Sequence, residues 1–229
     1  MQQALQLPGE TSRDFAKRII TQKLISLELE PGQMVSEKEL AAELHISRTP
    51  VREALIELSK TKIIDIFPQK GIRVSLIDFE RFDEARFMRQ ALETAIMDRL
   101  CQISDEQEFS ALHENLELQK FYLEGHHFEK NWELDNAFHQ ELFHIAKMSQ
   151  TYELMHQMSI YYDRIRRMSL DTYTDVQIVD DHEKILKAIL QGDAPLAKER
   201  VTTHLARFQV NKIAILEKYP AAYFQEANP

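Results

Sequence analysis

Apolar positions recur every three or four residues through most of the chain, dividing it into helical stretches of different length. Between Thr11 and Leu29 the stripe is Phe15, Ile19, Ile20, Leu24 and Leu27, and Pro31-Gly32 closes it in a turn. A short helix follows from Ser36, which with Glu39 forms a capping box; it carries Leu40, Ala41 and Leu44 and ends near His45. A third helix starts at Ser47 and turns Val51, Ala54, Leu55 and Leu58 inward. Pro50 falls in its first turn, where an amide has no intrahelical partner and proline is tolerated. The period then changes: IIDIF and IRVSL are β-prone runs separated by PQKG, which predicts a two-stranded hairpin. Helix, helix, turn, helix, hairpin is the order of a winged helix-turn-helix.

From about Ile77 the pattern is helical throughout, with six helices expected near 78–101, 105–124, 128–147, 150–171, 176–191 and 194–217. Ser104 with Gln107 reads as another capping box, and Gly125 and Gly192 fall at helix ends. The tail YPAAYFQEANP fits either a docked strap or a loose end. The expected fold class is mainly α: an N-terminal winged helix-turn-helix over residues 1–76 and an all-helical bundle over residues 77–229.

Composition agrees. Five glycines and seven prolines are too few for a sandwich or barrel, whose turns consume both. The net charge of -9 is unevenly spread. Residues 1–76 hold 11 Lys and Arg against 10 Asp and Glu, leaving 17 against 27 in the remainder, so a near-neutral head precedes an acidic body. Cys101 is alone, which precludes an internal disulfide, suits a reducing cytoplasm and reads most simply as a small buried hydrophobe. The first residues lack a charged n-region and an apolar h-region, so no secretory signal is expected. No apolar run approaches the roughly 20 residues that span a bilayer.

Two features carry candidate chemistry. In SRTPVREAL, Arg48 and Arg52 stand four apart at the amino end of the third helix, opposite its apolar back. Such a helix can enter a major groove, where arginine bonds guanine or clamps phosphate and Thr49 reaches base edge or backbone. Spacing alone fits a solvated surface pair equally well. The second feature is WELDNAFHQELFHIA, in which Asp135 and His139 share one helical face with Trp132 and Phe143. Burying a carboxylate and an imidazole unpaired is expensive, and mutual hydrogen bonding is one remedy. Metal is another. His182 lies ten residues before Gly192 and His204 twelve after it, so an antiparallel helix pair turning at Gly192 sets both at one height. Ile185, Ile189, Val201 and Phe208 define the inward stripes beside them. Asp135, His139, His182 and His204 are thus a candidate ligand set for zinc, nickel or a similar divalent ion. His113, His126, His127, His144 and His156 have no visible partner and read as surface or structural residues.

The segment Leu29 to Val74 resembles the DNA-binding head of the GntR family of bacterial transcription regulators: a PG turn, a helix reading SEKELAAEL, a recognition helix reading SRTPVREAL, and a wing ending in glycine and valine. The resemblance implies DNA contacts by Lys38 on the second helix, by Ser47, Arg48, Thr49 and Arg52 on the recognition helix, and by Lys70 and Gly71 at a wing tip in the minor groove. His45 and Lys62 stand where the family often has glycine; His45 fits a left-handed turn position, and Lys62 implies a different exit into the wing. From about Phe79 to Ile215 the chain resembles the FCD effector domain of the FadR-type branch, through DNAFH, HEKILKAILQGDAPLAKE and THLARF. Six helices without an extra linking helix are more similar to the branch named after VanR than to FadR itself. That resemblance implies the same Asp135, His139, His182 and His204 metal site, a small organic acid as effector, and Arg89 as a pocket residue, although Arg89 also suits a salt bridge with Glu93. The expectation is a cytoplasmic, homodimeric, non-enzymatic repressor that binds a palindromic DNA operator and carries a divalent metal and a small carboxylate effector, with no membrane association. A purely structural ion and a DNA-tethered metalloenzyme are the alternatives.

Overall fold

The structure is a computed structural model and describes residues 5–67, 70–170, 177–207 and 212–225. The chain divides into two compact units: Met1–Asp83 with Gln157–Ser169 and Asn211–Pro229, and Glu84–His156 with Leu170–Val210.

The first unit opens with α1 (Ser12–Ile25), capped by the Thr11 side chain. A two-residue strand β1 (Met34–Val35) leads into α2 (Glu37–Glu43), where Ser36 and Glu39 form both halves of the capping box. Next come α3 (Arg48–Lys60), β2 (Ile64–Phe67) and β3 (Gly71–Val74). The wing is three-stranded, in the order β1-β3-β2 with antiparallel pairing, where the sequence predicts a hairpin alone. Two residues are too short for any periodicity, so β1 leaves no signal of its own. The core gathers Phe15, Ile20 and Leu24 of α1, Leu40 of α2, the predicted α3 stripe Val51, Ala54, Leu55 and Leu58, and Ile72 and Val74 of β3.

The sequence gives no hint that this core also takes Ile160 and Tyr161, from α8 (Ile160–Leu170). Tyr161 donates its hydroxyl to the Thr61 carbonyl at 3.0 Å, and Arg81 Nη1 donates to the same hydroxyl at 3.0 Å. Arg164, fully buried, donates from Nη2 to the Ser75 carbonyl at 2.9 Å and from Nη1 to the Ser75 hydroxyl at 3.1 Å. Burial pushes its guanidinium down to about 10, still charged at neutral pH. The predicted helix near 150–171 is correspondingly two elements, α7 (Ser149–Met158) and α8, interrupted at Ser159.

The tail docks in part. Ile77 N–H donates to the Tyr223 carbonyl at 2.7 Å, Gln225 N–H donates to the Ile77 carbonyl at 2.9 Å, and Phe224 stacks on Phe79 with centroids 5.9 Å apart. Residues 226–229, like Phe208 and the Pro68-Gln69 pair of the wing turn, lie outside the described residues.

His45 and Lys62 both take left-handed backbone, at φ 54° and 59°, so the chain keeps the geometry that glycine would adopt there. Gly71 has φ 108°, and a Cβ on it would sit 2.7 Å from the Val35 carbonyl oxygen. Gly71→Ala should therefore cost about 1–3 kcal/mol through backbone strain alone. Urea unfolding checks this: the midpoint falls, whereas Gly9→Ala, with nothing within 4 Å, pays only the φ cost.

The second unit continues α4 (Phe79–Leu100) and adds α5 (Ser110–Glu124), α6 (Phe128–Ile145), α7, α9 (Gln177–Leu190) and α10 (Ala194–Arg207). Its core joins Met97 and Leu100, Leu112 and Leu116, Phe138, Leu142 and Phe143, Ile185 and Ile189, and Val201 and Leu205. The approach to α5 differs from expectation. Asp105, not Ser104, caps a 3₁₀ turn over Glu106–Phe109 by accepting from Gln107 N–H at 3.0 Å, and the α-helix starts only at Ser110. The Gly192 turn is as expected: φ 69° ends α9 and α10 packs back against it. The predicted single helix 194–217 appears as α10 and α11 (Lys212–Lys218) on either side of residues outside the described set. Among the described residues no helix is long and apolar enough to cross a membrane.

Candidate functional site

On the first unit, α3 presents what the sequence expects. Val51, Ala54, Leu55 and Leu58 are buried, while Ser47, Arg48, Thr49 and Arg52 are exposed on the other side of the same helix. Ser47 occupies the cap position with extended backbone but makes no cap hydrogen bond with its side chain. The side chains of Arg48 and Arg52 are 68% and 70% exposed, and both point toward Glu37 on α2, at 3.6 and 3.9 Å. Exposed pairs of this length are worth about 0–1 kcal/mol, so Glu37 does not compete seriously with a phosphate. Lys38 is exposed on α2, and Lys70 is exposed beside the half-buried Gly71 at the start of β3.

In the second unit, α6 carries Asp135 and His139 on one face, α9 carries His182 and α10 carries His204, all buried. One ligand atom from each of the four lies within 4.8 Å of every other. His139 Nε2 and His204 Nε2 are 3.2 Å apart, and His182 Nε2 is 3.5 Å from Asp135 Oδ1. Phe138 stacks on the His182 ring with centroids 4.2 Å apart, walling the cluster on that side.

The donor set fits a divalent ion. Two ring nitrogens 3.2 Å apart repel unless a proton or a cation lies between them. Ligands at about 2.0–2.1 Å from one tetrahedral zinc stand about 3.3 Å from each other, close to that spacing. Three imidazoles and one carboxylate also suit the ligand preferences of zinc and nickel.

Behind the imidazoles stand residues that sequence reasoning did not assign to the site. His139 Nδ1 is 2.7 Å from Glu93 Oε2, and Arg89 Nε donates to Glu93 Oε1 at 2.6 Å. Arg89, for which a pocket position and a salt bridge with Glu93 were both expected readings, is buried in that salt bridge beside the cluster. Burial pushes the Glu93 carboxyl up, but the neighbouring His139 and Arg89 more than offset this and hold it at about 2. Burial lowers the His139 imidazole despite Glu93, the direction that a metal ligand requires. Gln119 Oε1 is 2.9 Å from His182 Nδ1, and Asp181 Oδ2 is 3.7 Å from His204 Nδ1. A signal for Gln119 exists in hindsight: a polar residue continues the inward stripe Leu112, Leu116.

Residues 84–207 match the FCD domain, and residues 13–74 match the family described as bacterial regulatory proteins, gntR family. The chain belongs to the GntR family and carries an FCD domain. Its GntR relatives include an HTH-type transcriptional regulator in an unstable DNA locus of Streptomyces ambofaciens, 35% identical over 87% of this chain and 84% of that protein. The HTH-type transcriptional repressor RspR of Escherichia coli K12 is 31% identical over 82% of this chain and 83% of its own length. Among solved structures, Escherichia coli McbR/YncC superposes with a TM-score of 0.78 at 19% identity, covering 92% of this chain and 99% of that one, which supports the shared GntR fold. As a GntR-family member the chain is a DNA-binding transcription regulator, with an effector-binding FCD domain.

Proposed function

We propose that the chain is a cytoplasmic homodimeric repressor whose operator affinity is set by a small carboxylate metabolite bound at a metal ion in the FCD domain. The observation that carries this reading is the convergence of Asp135, His139, His182 and His204 from three helices on one point. A divalent ion held by these residues supplies a Lewis-acidic anchor for a carboxylate. The winged module over residues 1–76 reads DNA, with Arg48, Arg52 and Thr49 at base edges or phosphates and Lys38, Ser47, Lys70 and Gly71 on the backbone or in the minor groove. Two such heads related by a two-fold axis match a palindromic operator, because one head alone contacts few base pairs. The repressor assignment follows relatives named as repressors, including RspR and the gluconate operon repressor of Bacillus subtilis.

Coupling requires the acid to prefer one arrangement of the heads; about 1–3 kcal/mol is typical, roughly a 5- to 150-fold change in operator affinity. The test is a titration of short carboxylic acids into metal-loaded protein on operator DNA, read by fluorescence anisotropy. At least one acid shifts the curve; a panel of acids without effect on fully loaded protein overturns the sensor reading.

A second reading has its own support. Four protein donors complete a tetrahedron, and closed sites are the habit of structural ions. In that case chelation unfolds the second unit and no acid alters DNA binding.

A further inference from the structure

We propose that Gln119 and Glu93 are positioning residues that hold His182 and His139 in the Nδ1–H form, so that Nε2 of each ring is kept as the donor atom facing the cluster. The inference rests on reading Asp135, His139, His182 and His204 as a metal centre, and deepens it by naming what presets the ligands.

The polarity of these bonds is set at a backbone carbonyl. Asn115 Nδ2 donates to the Leu134 carbonyl of α6 at 3.0 Å, and a carbonyl can only accept. The amide of Asn115 must therefore turn its NH₂ toward α6 and its Oδ1 the other way. That oxygen accepts from Gln119 Nε2 at 2.6 Å. Gln119 in turn can present only Oε1 to His182 Nδ1, 2.9 Å away. An oxygen acceptor at that distance requires a proton on Nδ1, and a neutral imidazole then keeps its lone pair on Nε2. The polarity of a whole chain of side chains, Leu134 to Asn115 to Gln119 to His182, follows from one group that cannot reverse. Gln119 is 1% exposed and His182 fully buried, so water does not compete for either end.

Glu93 acts on His139 by a different route. Its Oε1 is occupied by Arg89 Nε, and its Oε2 stands 2.7 Å from His139 Nδ1. A carboxylate paired with a guanidinium offers no proton, so the ring nitrogen facing it carries one. Outer partners of this kind orient ligating histidines and raise their basicity, and their loss typically lowers metal affinity 10- to 100-fold. Arg89 thereby acquires a role through Glu93, one step removed from the ion.

Two measurements on the full chain decide the matter. Long-range ¹H–¹⁵N spectra of metal-free protein, with histidine labelled, report each ring's tautomer directly. His182 is expected as Nδ1–H in the wild type, with the opposite tautomer gaining population in Gln119→Leu. Asn115→Leu, a second variant at a half-buried position, frees the Gln119 amide to flip and should give a mixture. Competition titration with zinc should then show Gln119→Leu binding roughly 10- to 100-fold more weakly. Gln119→Glu, which keeps an acceptor, should restore affinity. An Nε2–H tautomer for His182 in metal-free wild type, or unaltered zinc affinity in Gln119→Leu, overturns the proposal. Wild-type protein that binds no zinc fails the metal reading instead, and the tautomer spectra, taken without metal, separate the two failures.

Discussion

Alanine at both Arg48 and Arg52 should abolish measurable operator binding while leaving the thermal midpoint where it is. The two halves of this result have separate causes. The side chains are 68% and 70% exposed, with only loose contacts to Glu37, so truncating them in the folded state falls in the range of ordinary surface changes, within about 0.5 kcal/mol. On DNA each arginine that reads a guanine or clamps a phosphate contributes about 1–3 kcal/mol, roughly 5- to 150-fold in affinity, and a two-fold complex carries each of them twice. The salt dependence discriminates their tasks. Removing a phosphate clamp lowers the slope of log affinity against log salt by about 0.9, whereas removing a base-reading arginine weakens the cognate site and spares random duplex. Anisotropy with cognate and random duplex at several salt concentrations gives both numbers.

On the proposed reading of the Asp135, His139, His182 and His204 cluster as a metal centre, His182→Ala should abolish divalent-ion binding. Structural zinc sites bind with about 10–16 kcal/mol over four ligands, so an equal share is about 2.5–4 kcal/mol, or roughly 100- to 1,000-fold in affinity. Asp135→Asn, which keeps the shape and removes the charge, should act in the same direction. Elemental analysis after dialysis reads the loss. A chelator should lower the melting temperature of the wild type and leave that of either variant unmoved, because a ligand stabilises only a fold that binds it.

The parts of this molecule that were legible in the sequence are those governed by local spacing. The recognition helix announced itself through Ser47, the two arginines and the Val51 to Leu58 stripe. Asp135 and His139 were bound to share a face because they stand four apart on a helix, and the turn at Gly192 brought His182 and His204 level. Contacts between distant segments left no such trace. Arg164 reads as one of several cations in IYYDRIRRMSL, yet it is fully buried because Ser75, 89 residues away in sequence, accepts its guanidinium twice. The break at Ser159 carries neither glycine nor proline to mark it. Glu93 was visible only as a salt-bridge partner for Arg89 and Gln119 not at all, and the imidazoles they face, His139 and His182, lie 46 and 63 positions away. Position along a helix shows that such a residue needs a partner; the tertiary fold decides which one it finds.

The most direct test of the link between the metal centre and DNA is to measure operator affinity for wild type and Asp135→Asn, each with and without an acid that is active on the wild type. The account predicts a shift of roughly 5- to 150-fold in the wild type and none in the variant, with both proteins binding operator in the absence of acid. An equal shift in both proteins would contradict it, placing the acid somewhere other than at the proposed metal site of Asp135, His139, His182 and His204.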